Sequence, residues 1–233
     1  GPAAGQSMVE VDVTVDDDVQ RVVERVTDET DRVDCVVNNA GYGQLGPVED
    51  VPVERVREQY DVNVLGPHRL VRAVLPEMRR QSDGTVINVT STAARVPFPG
   101  GGVYSGSKAA LQATTEALRA EVADEGIDVV EVEPGPVETA FRERATAEIE
   151  GIDRSDGYEP FYALFEDYAA VGGGGPLAVE PAAVAAEIVD AASSTDPAPR
   201  YPVGPVARAA SLAPFLPQWV RLLVWSTIRR VAQ

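Results

Sequence analysis

Apolar positions along the chain change their period several times, and each change marks the passage from strand to helix or back. Val9 to Val13 is a short apolar run that reads as a strand, and Asp16 to Asp31 then places Val19, Val22, Val23 and Val26 at helical spacing. Val33 to Val37 is a second run, too short for a helix, rich in β-branched residues and ended by the turn formers Asn38-Asn39-Ala40-Gly41. Helical spacing returns from Val53 to Arg80, Gly84 to Val89 repeats the strand signal, and Tyr104 to Asp124 is a long helical stretch with Gly126 as its stop. Ile127 to Val132 is a strand closed by Pro134-Gly135-Pro136, and Pro181 to Ala192 is a helix with proline near its first turn. Strands and helices alternate with no hairpin signal. The expected class is therefore α/β, a doubly wound parallel sheet flanked by helices, with function at the carboxyl ends of the strands.

Two stretches depart from this alternation. Residues 137–179 hold Phe141, Tyr158, Phe161, Tyr162, Phe165 and Tyr168 and end near Gly172 to Gly175, which reads either as an aromatic flap over an apolar substrate pocket or as an irregular surface insertion. Residues 205–233 form a tail that is amphipathic from Leu212 to Ile228, with both tryptophans, and that either packs on the domain or touches lipid headgroups peripherally. With 233 residues and 44% hydrophobic content there is material for one core, so residues 1–233 are expected to form a single domain.

Composition removes several kinds of function. A net charge of −17 argues against nucleic acid as a partner, because phosphate binding needs basic clusters. Acidic excess with almost no lysine suits a salt-adapted, halophilic source. Cys35 is alone and lies in an apolar run, so it is expected to be a buried small hydrophobe; one cysteine and one histidine, His68, supply no metal site. There is no signal peptide and no apolar run of the ~20 residues a membrane span needs, which makes the cytoplasm the simplest location.

The charge pattern contains one exception that points to chemistry. Nineteen of the twenty basic residues are arginine, and the single lysine, Lys108, stands four residues after Tyr104 in Tyr104-Ser105-Gly106-Ser107-Lys108. Residues i and i+4 share a helix face, so a compact ammonium lies near a phenol, stabilises its ionised form and lowers a pKa that is ordinarily about 10. The other reading of the pair is ordinary packing on a helix surface.

Four elements fall in order at the ends of strands: Asn38-Asn39-Ala40-Gly41, Asn63 in Asn63-Val64-Leu65-Gly66, Ser91 in Asn88-Val89-Thr90-Ser91, and Tyr104 with Lys108. In this combination, with the Glu133-Pro134-Gly135-Pro136-Val137-Glu138-Thr139 turn, the chain resembles the short-chain dehydrogenase/reductase family from about Val9 to Gly204, and most the branch similar to 17β-hydroxysteroid and retinol dehydrogenases. The resemblance implies a Rossmann-like sheet and NAD or NADP as cofactor, the choice between them unreadable. It implies hydride transfer to or from a hydrophobic ketone or secondary alcohol of steroid, retinoid or lipid type. Tyr104 would be the general acid or base, with Lys108 lowering its pKa and holding the nicotinamide ribose. Ser91 would hydrogen-bond the substrate oxygen, and Asn63 would hold a water that relays protons from Lys108. Asp12 would meet the adenine, Asn39, Ala40 and Gly41 would line the adenosine side, and Pro134, Gly135 and Thr139 would border the nicotinamide. A homo-oligomer, paired through the helices at Val53 to Arg80 and Tyr104 to Asp124, is implied by the resemblance as well.

The family's opening strand and glycine-rich turn, TGxxxGxG, have no counterpart in these 233 residues, and Val9 to Val13 corresponds to the family's third strand. The expected sheet therefore lacks the first two βα units, and either Val9 to Val13 pairs directly with Val33 to Val37 or the missing strands lie upstream. Weak cofactor affinity is expected of the polypeptide as it stands. The rival reading is a non-catalytic remnant that binds an apolar ligand or a membrane surface.

Overall fold

A computed structural model describes residues 7–138, 148–149, 151–159, 162 and 177–215. Its sheet holds β1 (Cys35–Asn38), β2 (Gly84–Val89), β3 (Ile127–Pro134) and β4 (Arg200–Val203), all parallel and in the order β1-β2-β3-β4. Parallel neighbours require crossovers, and helices supply them: α1 (Asp16–Thr30) precedes β1, α2 (Val53–Tyr60) and α3 (Gly66–Gln81) join β1 to β2, α4 (Gly102–Glu121) joins β2 to β3, α5 (Pro181–Ser193) lies between β3 and β4, and the short α6 (Pro205–Ala210) follows β4. The Gly126 stop is real. It has φ +72, and a Cβ there would lie 2.3 Å from the Ser82 carbonyl oxygen.

Alternate residues of each strand feed two cores, one on each face. Val86 and Val129 join Val74, Leu75, Met78 and Val122 beneath α3 and α4, while Ile87, Val130, Val132 and Val203 face Ala191 of α5. This is the expected doubly wound architecture.

Three departures from the sequence reading have physical causes. The strand expected at Val9 to Val13 does not form, because a strand is stable only when a neighbour completes its ladder, and this segment pairs with neither β1 nor any other described strand. It lies instead against the start of α3, where Val13 packs on Gly66 so closely that a Cβ would come within 2.8 Å of its Cγ2, and Arg69 bonds the Val13 carbonyl and both Asp16 and Asp61. β4 (Arg200–Val203) is an addition, since no strand was expected there, and it contains Pro202. The proline is tolerated because, among the described residues, β4 pairs with β3 alone, and a missing N–H on the side away from β3 costs no ladder bond there.

The third departure concerns the long helix expected from Val53 to Arg80, which is divided by a π-helical turn, Asp61–Leu65. Pro67 has no N–H to give the Asn63 carbonyl, and the Gly66 N–H reaches back to Asp61, five residues away, so the turn widens around Asn63.

Candidate active site

β2 ends at Val89, and the chain leaves it through Thr90 and Ser91 into a 3₁₀ turn, Thr92–Ala94. Ser91 is the N-cap of that turn, its Oγ accepting from the Ala93 N–H at 3.1 Å, which leaves its own O–H free to donate. Tyr104 lies in the first turn of α4 and Lys108 in the second. The Lys108 Nζ donates to the Val89 carbonyl oxygen at 2.9 Å, so the ammonium is bound to the strand end from which Ser91 departs. Lys108 is buried, and loss of solvent lowers its pKa from 10.5 to about 8.

Close by, buried polar groups hold α4 in place. Asn63 accepts from the Tyr42 N–H at 3.1 Å and donates to the Tyr42 carbonyl at 2.9 Å and to Ser107 Oγ at 3.0 Å. Ser107 in turn donates to the Tyr104 carbonyl at 2.8 Å and accepts from Gln59 at 3.3 Å, and Gln59 Oε1 accepts the Gln44 N–H. A further line crosses the sheet, from Asn38 to Asn88 at 2.7 Å and from Asn88 to Thr115 of α4 at 2.8 Å. Both amide protons of Asn63 are thus committed to protein, and its main-chain carbonyl is the group that Pro67 deprives of an ordinary α-helical donor.

The loop after β1 joins this region to a cleft of ≈ 680 Å³, lined by Glu10, Asp12, Asp18, Arg21, Ala40, Gly41, Tyr42 and Val62 among others. Gly41 is the junction. A Cβ there would lie 2.9 Å from Asn63 Oδ1 and 3.4 Å from Lys108 Nζ, so a flat group can approach both side chains only over a glycine. Asp12 accepts from the Thr14 N–H at 2.9 Å and from its hydroxyl at 2.7 Å, and these bonds hold its pKa below the usual value.

Asp12, Ala40 and Gly41 therefore share one cleft, and Gly41 lies close to both Asn63 and Lys108. Asn39 is exposed at the turn after β1 and does not line the cleft. Pro134 and Gly135 stand at the carboxyl end of β3, but the Gly135 N–H is spent on the Val203 carbonyl at 3.1 Å, so the pair contributes surface and not a donor. Thr139 lies outside the described residues, as do Phe141, Phe161, Phe165, Tyr168 and the tail from residue 216 onward.

The described part of the 137–179 segment is docked. Its base closes through a parallel bridge between Val137 and Val179, and Tyr162 is buried with Leu45 and Ile149, its hydroxyl donating to Asp50 at 2.5 Å. Phe98 and Tyr158 pack against that cluster, and the Phe98 ring lies over Gly101 where α4 begins. Sequence reasoning missed Gln59, Tyr42 and Ser107 as supports; Ser107 sits inside the Tyr-to-Lys motif, and Pro67 four residues after Asn63 was the available signal for the π turn. Among the described residues no group of His, Cys, Asp and Glu could hold a metal ion, and no helix is long and apolar enough to cross a membrane.

A parallel α/β sheet with a buried lysine, a tyrosine, a serine and a glycine-floored cleft at its carboxyl edge defines a Rossmann-like protein. The short chain dehydrogenase family model matches residues 3–150, and the chain belongs to the short-chain dehydrogenase/reductase family. A probable short-chain type dehydrogenase/reductase of Helicobacter pylori is 34% identical over 148 residues, which are 64% of this chain and 54% of that protein. Human 17-beta-hydroxysteroid dehydrogenase type 1 is 36% identical over 156 residues, 66% of this chain and 47% of the relative, so the matched region spans about half the length of both relatives. A short chain dehydrogenase of Burkholderia cenocepacia, solved in complex with NADP, superposes with a TM-score of 0.69 at 26% identity, covering 93% of this chain and 77% of the other.

Proposed function

We propose that this chain transfers hydride between NAD or NADP and an apolar ketone or secondary alcohol, with Ser91, Tyr104, Lys108 and Asn63 as its working residues. The observation that carries the reading is Lys108: a buried ammonium, bound to the end of β2 and facing the floor of a cleft at Gly41. Burying a cation without an anionic partner opposes folding. Such a group is retained where a reaction needs it.

The cofactor would lie along the cleft, with Asp12 at the adenine, Ala40 and Gly41 along the adenosine, Lys108 at the nicotinamide ribose and Pro134, Gly135 and Thr139 near the ring. When bound it supplies or accepts the hydride. The Tyr104 hydroxyl gives a proton to the carbonyl oxygen in reduction and recovers it in oxidation, while the Lys108 charge stabilises the phenolate left behind. The Ser91 O–H donates to the same oxygen as negative charge develops there. A water on the Asn63 carbonyl would return protons toward Lys108, since the Asn63 amide is already committed. The docked aromatic residues Tyr158 and Tyr162 pack with Leu45 and Phe98, and Phe98 lies over Gly101 at the start of α4, which favours an apolar substrate.

The test is turnover of NADH and NADPH with a panel of aryl and alicyclic ketones, and the same panel with Lys108→Arg. The variant keeps charge and loses at least about 100-fold in kcat, because a rigid guanidinium fork cannot take the place of a point charge. Absence of wild-type turnover across the panel sinks the reading, and near-normal turnover of the variant removes Lys108 from it.

A further inference from the structure

β3 turns two carboxylates, Glu131 and Glu133, toward α4, and both are buried, at 1% and 0% exposure. Glu133 is pushed toward the neutral form mainly by burial, against the pull of Arg95 and Arg200, and its Oε1 has no hydrogen-bond partner. An apolar side chain would fill either place without the desolvation penalty of a carboxylate. What distinguishes Glu131 is where its bonds go. Its Oε1 accepts two hydrogen bonds at 2.8 Å, one from the hydroxyl of Thr90, the residue before Ser91, and one from Nε2 of Gln112, one helical turn beyond Lys108. Its Oε2 meets Arg95 at 3.4 Å, and Arg95 is the C-cap of the 3₁₀ turn that Ser91 begins. Arg95 is braced from behind by Glu133 at 2.7 Å.

We infer that Glu131 is a positioning residue, which holds the Ser91 turn in register with the helix that carries Tyr104 and Lys108. The inference rests on the proposed site for its meaning, although the bonds themselves do not. One carboxylate grips the chain on both sides of Ser91 and grips α4 through Gln112. The Lys108 bond to Val89 is the complementary tie between α4 and the same strand end, so Ser91 is constrained through Val89, Thr90 and Arg95. If Glu131 is removed the groups on either side of Ser91 are not stranded, because the Thr90 hydroxyl has a second acceptor in the Val132 carbonyl at 3.3 Å and Arg95 keeps Glu133. The loss then falls on alignment, and a displacement of about 1 Å is enough to cost a reaction 100-fold.

Two variants and two readouts test this. Glu131→Ala is expected to lower kcat by about 10- to 100-fold with the KM for the nicotinamide cofactor changed less than about twofold; Glu131→Gln, which keeps the shared acceptor, recovers to within about fivefold of wild type. Gln112→Ala cuts the helix-side bond alone and leaves the core filled, so it serves if the first variant fails to fold; it should lose about tenfold in kcat. Hydrogen exchange reads the same event without turnover: in Glu131→Ala or Gln112→Ala the amides of Ala93 to Val96 exchange at least about tenfold faster while those of Val129 and Val130 do not change. Unaltered exchange in the turn, or a kcat per folded molecule within twofold of wild type in both Glu131→Ala and Gln112→Ala, overturns the inference. If wild type shows no turnover the proposed function fails, and the exchange experiment decides the positioning role by itself.

Discussion

The carboxyl edge of the sheet has two sides built to different standards. Around β2, β3 and α4, polar groups are buried and bonded from several directions: Asn63 makes three side-chain bonds, Ser107 three, and Glu131 ties β3 to α4 and to the turn that follows β2. Around β1 and residues 7–14, the outer edge of β1 has no partner strand among the described residues, Asp12 is exposed, and the segment expected to extend the sheet is held by Arg69 and Gly66 instead. The difference teaches that the proposed proton-handling groups are pre-organised by contacts within residues 38–134, whereas the proposed cofactor side is shaped by one turn and one helix end. Rigid support and the proposed reactive groups coincide, as catalysis by alignment requires.

The largest effect expected to break this comparison is a pH dependence of stability. Lys108 has its folded pKa depressed to about 8, from 10.5, by burial. Below about pH 8 both folded and unfolded chains carry the proton, and the cost of burying the charge is fully present. Between about pH 8 and 10.5 the unfolded chain keeps a proton that the native chain has released, so stability rises with pH, by roughly 3 kcal/mol across the window. Lys108→Met removes that rise. Urea unfolding of both proteins at about pH 7 and about pH 10 gives the difference directly, and equal slopes would mean that the ammonium is solvated and the pre-organised side less dry than described.

An intermediate effect lies at the junction of the two sides. Gly41→Ala puts a methyl group 2.9 Å from Asn63 Oδ1, where both amide protons of Asn63 are already committed and it cannot easily retreat. The expected cost is about 2 kcal/mol of stability, within the range for overpacking, together with weaker binding of NADH or NADPH in a fluorescence titration. A variant as stable as wild type with unchanged cofactor affinity would show that the cleft and the lysine are not coupled through Gly41.

How much of this was legible in the sequence follows from the range of the interactions involved. The helices at Asp16–Thr30 and Pro181–Ser193 and the strands at Gly84–Val89 and Ile127–Pro134 were readable, because period and turn chemistry are local. Tyr104, Lys108, Ser91 and the Asn38-to-Gly41 turn were readable because their spacing is distinctive. Val9 to Val13 looked like a strand for equally good local reasons and is not one, since a strand also depends on a neighbour elsewhere in the chain. Glu131 and Glu133 lie in a segment where a charge reads as a solvent-facing position. The donors that bury them come from Thr90, Arg95, Gln112 and Arg200, and nothing in the local pattern announces those contacts. The π turn is a mixed case: Pro67 was visible, but its effect on Asn63 depends on the helix continuing through it.

The smallest effect, at Val37, sharpens the comparison most directly, because it is read against a residue paired with it in register. Val37 of β1 and Ile87 of β2 are opposite one another and point to the same face, yet Val37 is 39% exposed and Ile87 is fully buried. The difference arises because α5 packs over β2, β3 and β4, where Ile87 meets Ala191, while Val37 looks past the edge of that cover. Ile87→Ala should therefore cost roughly 3 kcal/mol, the usual loss for a buried aliphatic side chain, and Val37→Ala about 0.5 kcal/mol. Both are measured by urea unfolding at one pH, so the pair is its own control. If Val37→Ala costs as much as Ile87→Ala, the face of β1 is covered in solution and the two sides of the sheet differ less than their described contacts imply. If it costs little, the β1 side is an open boundary, and the stability of the domain resides in the β2 to β4 half that also aligns Ser91, Tyr104 and Lys108.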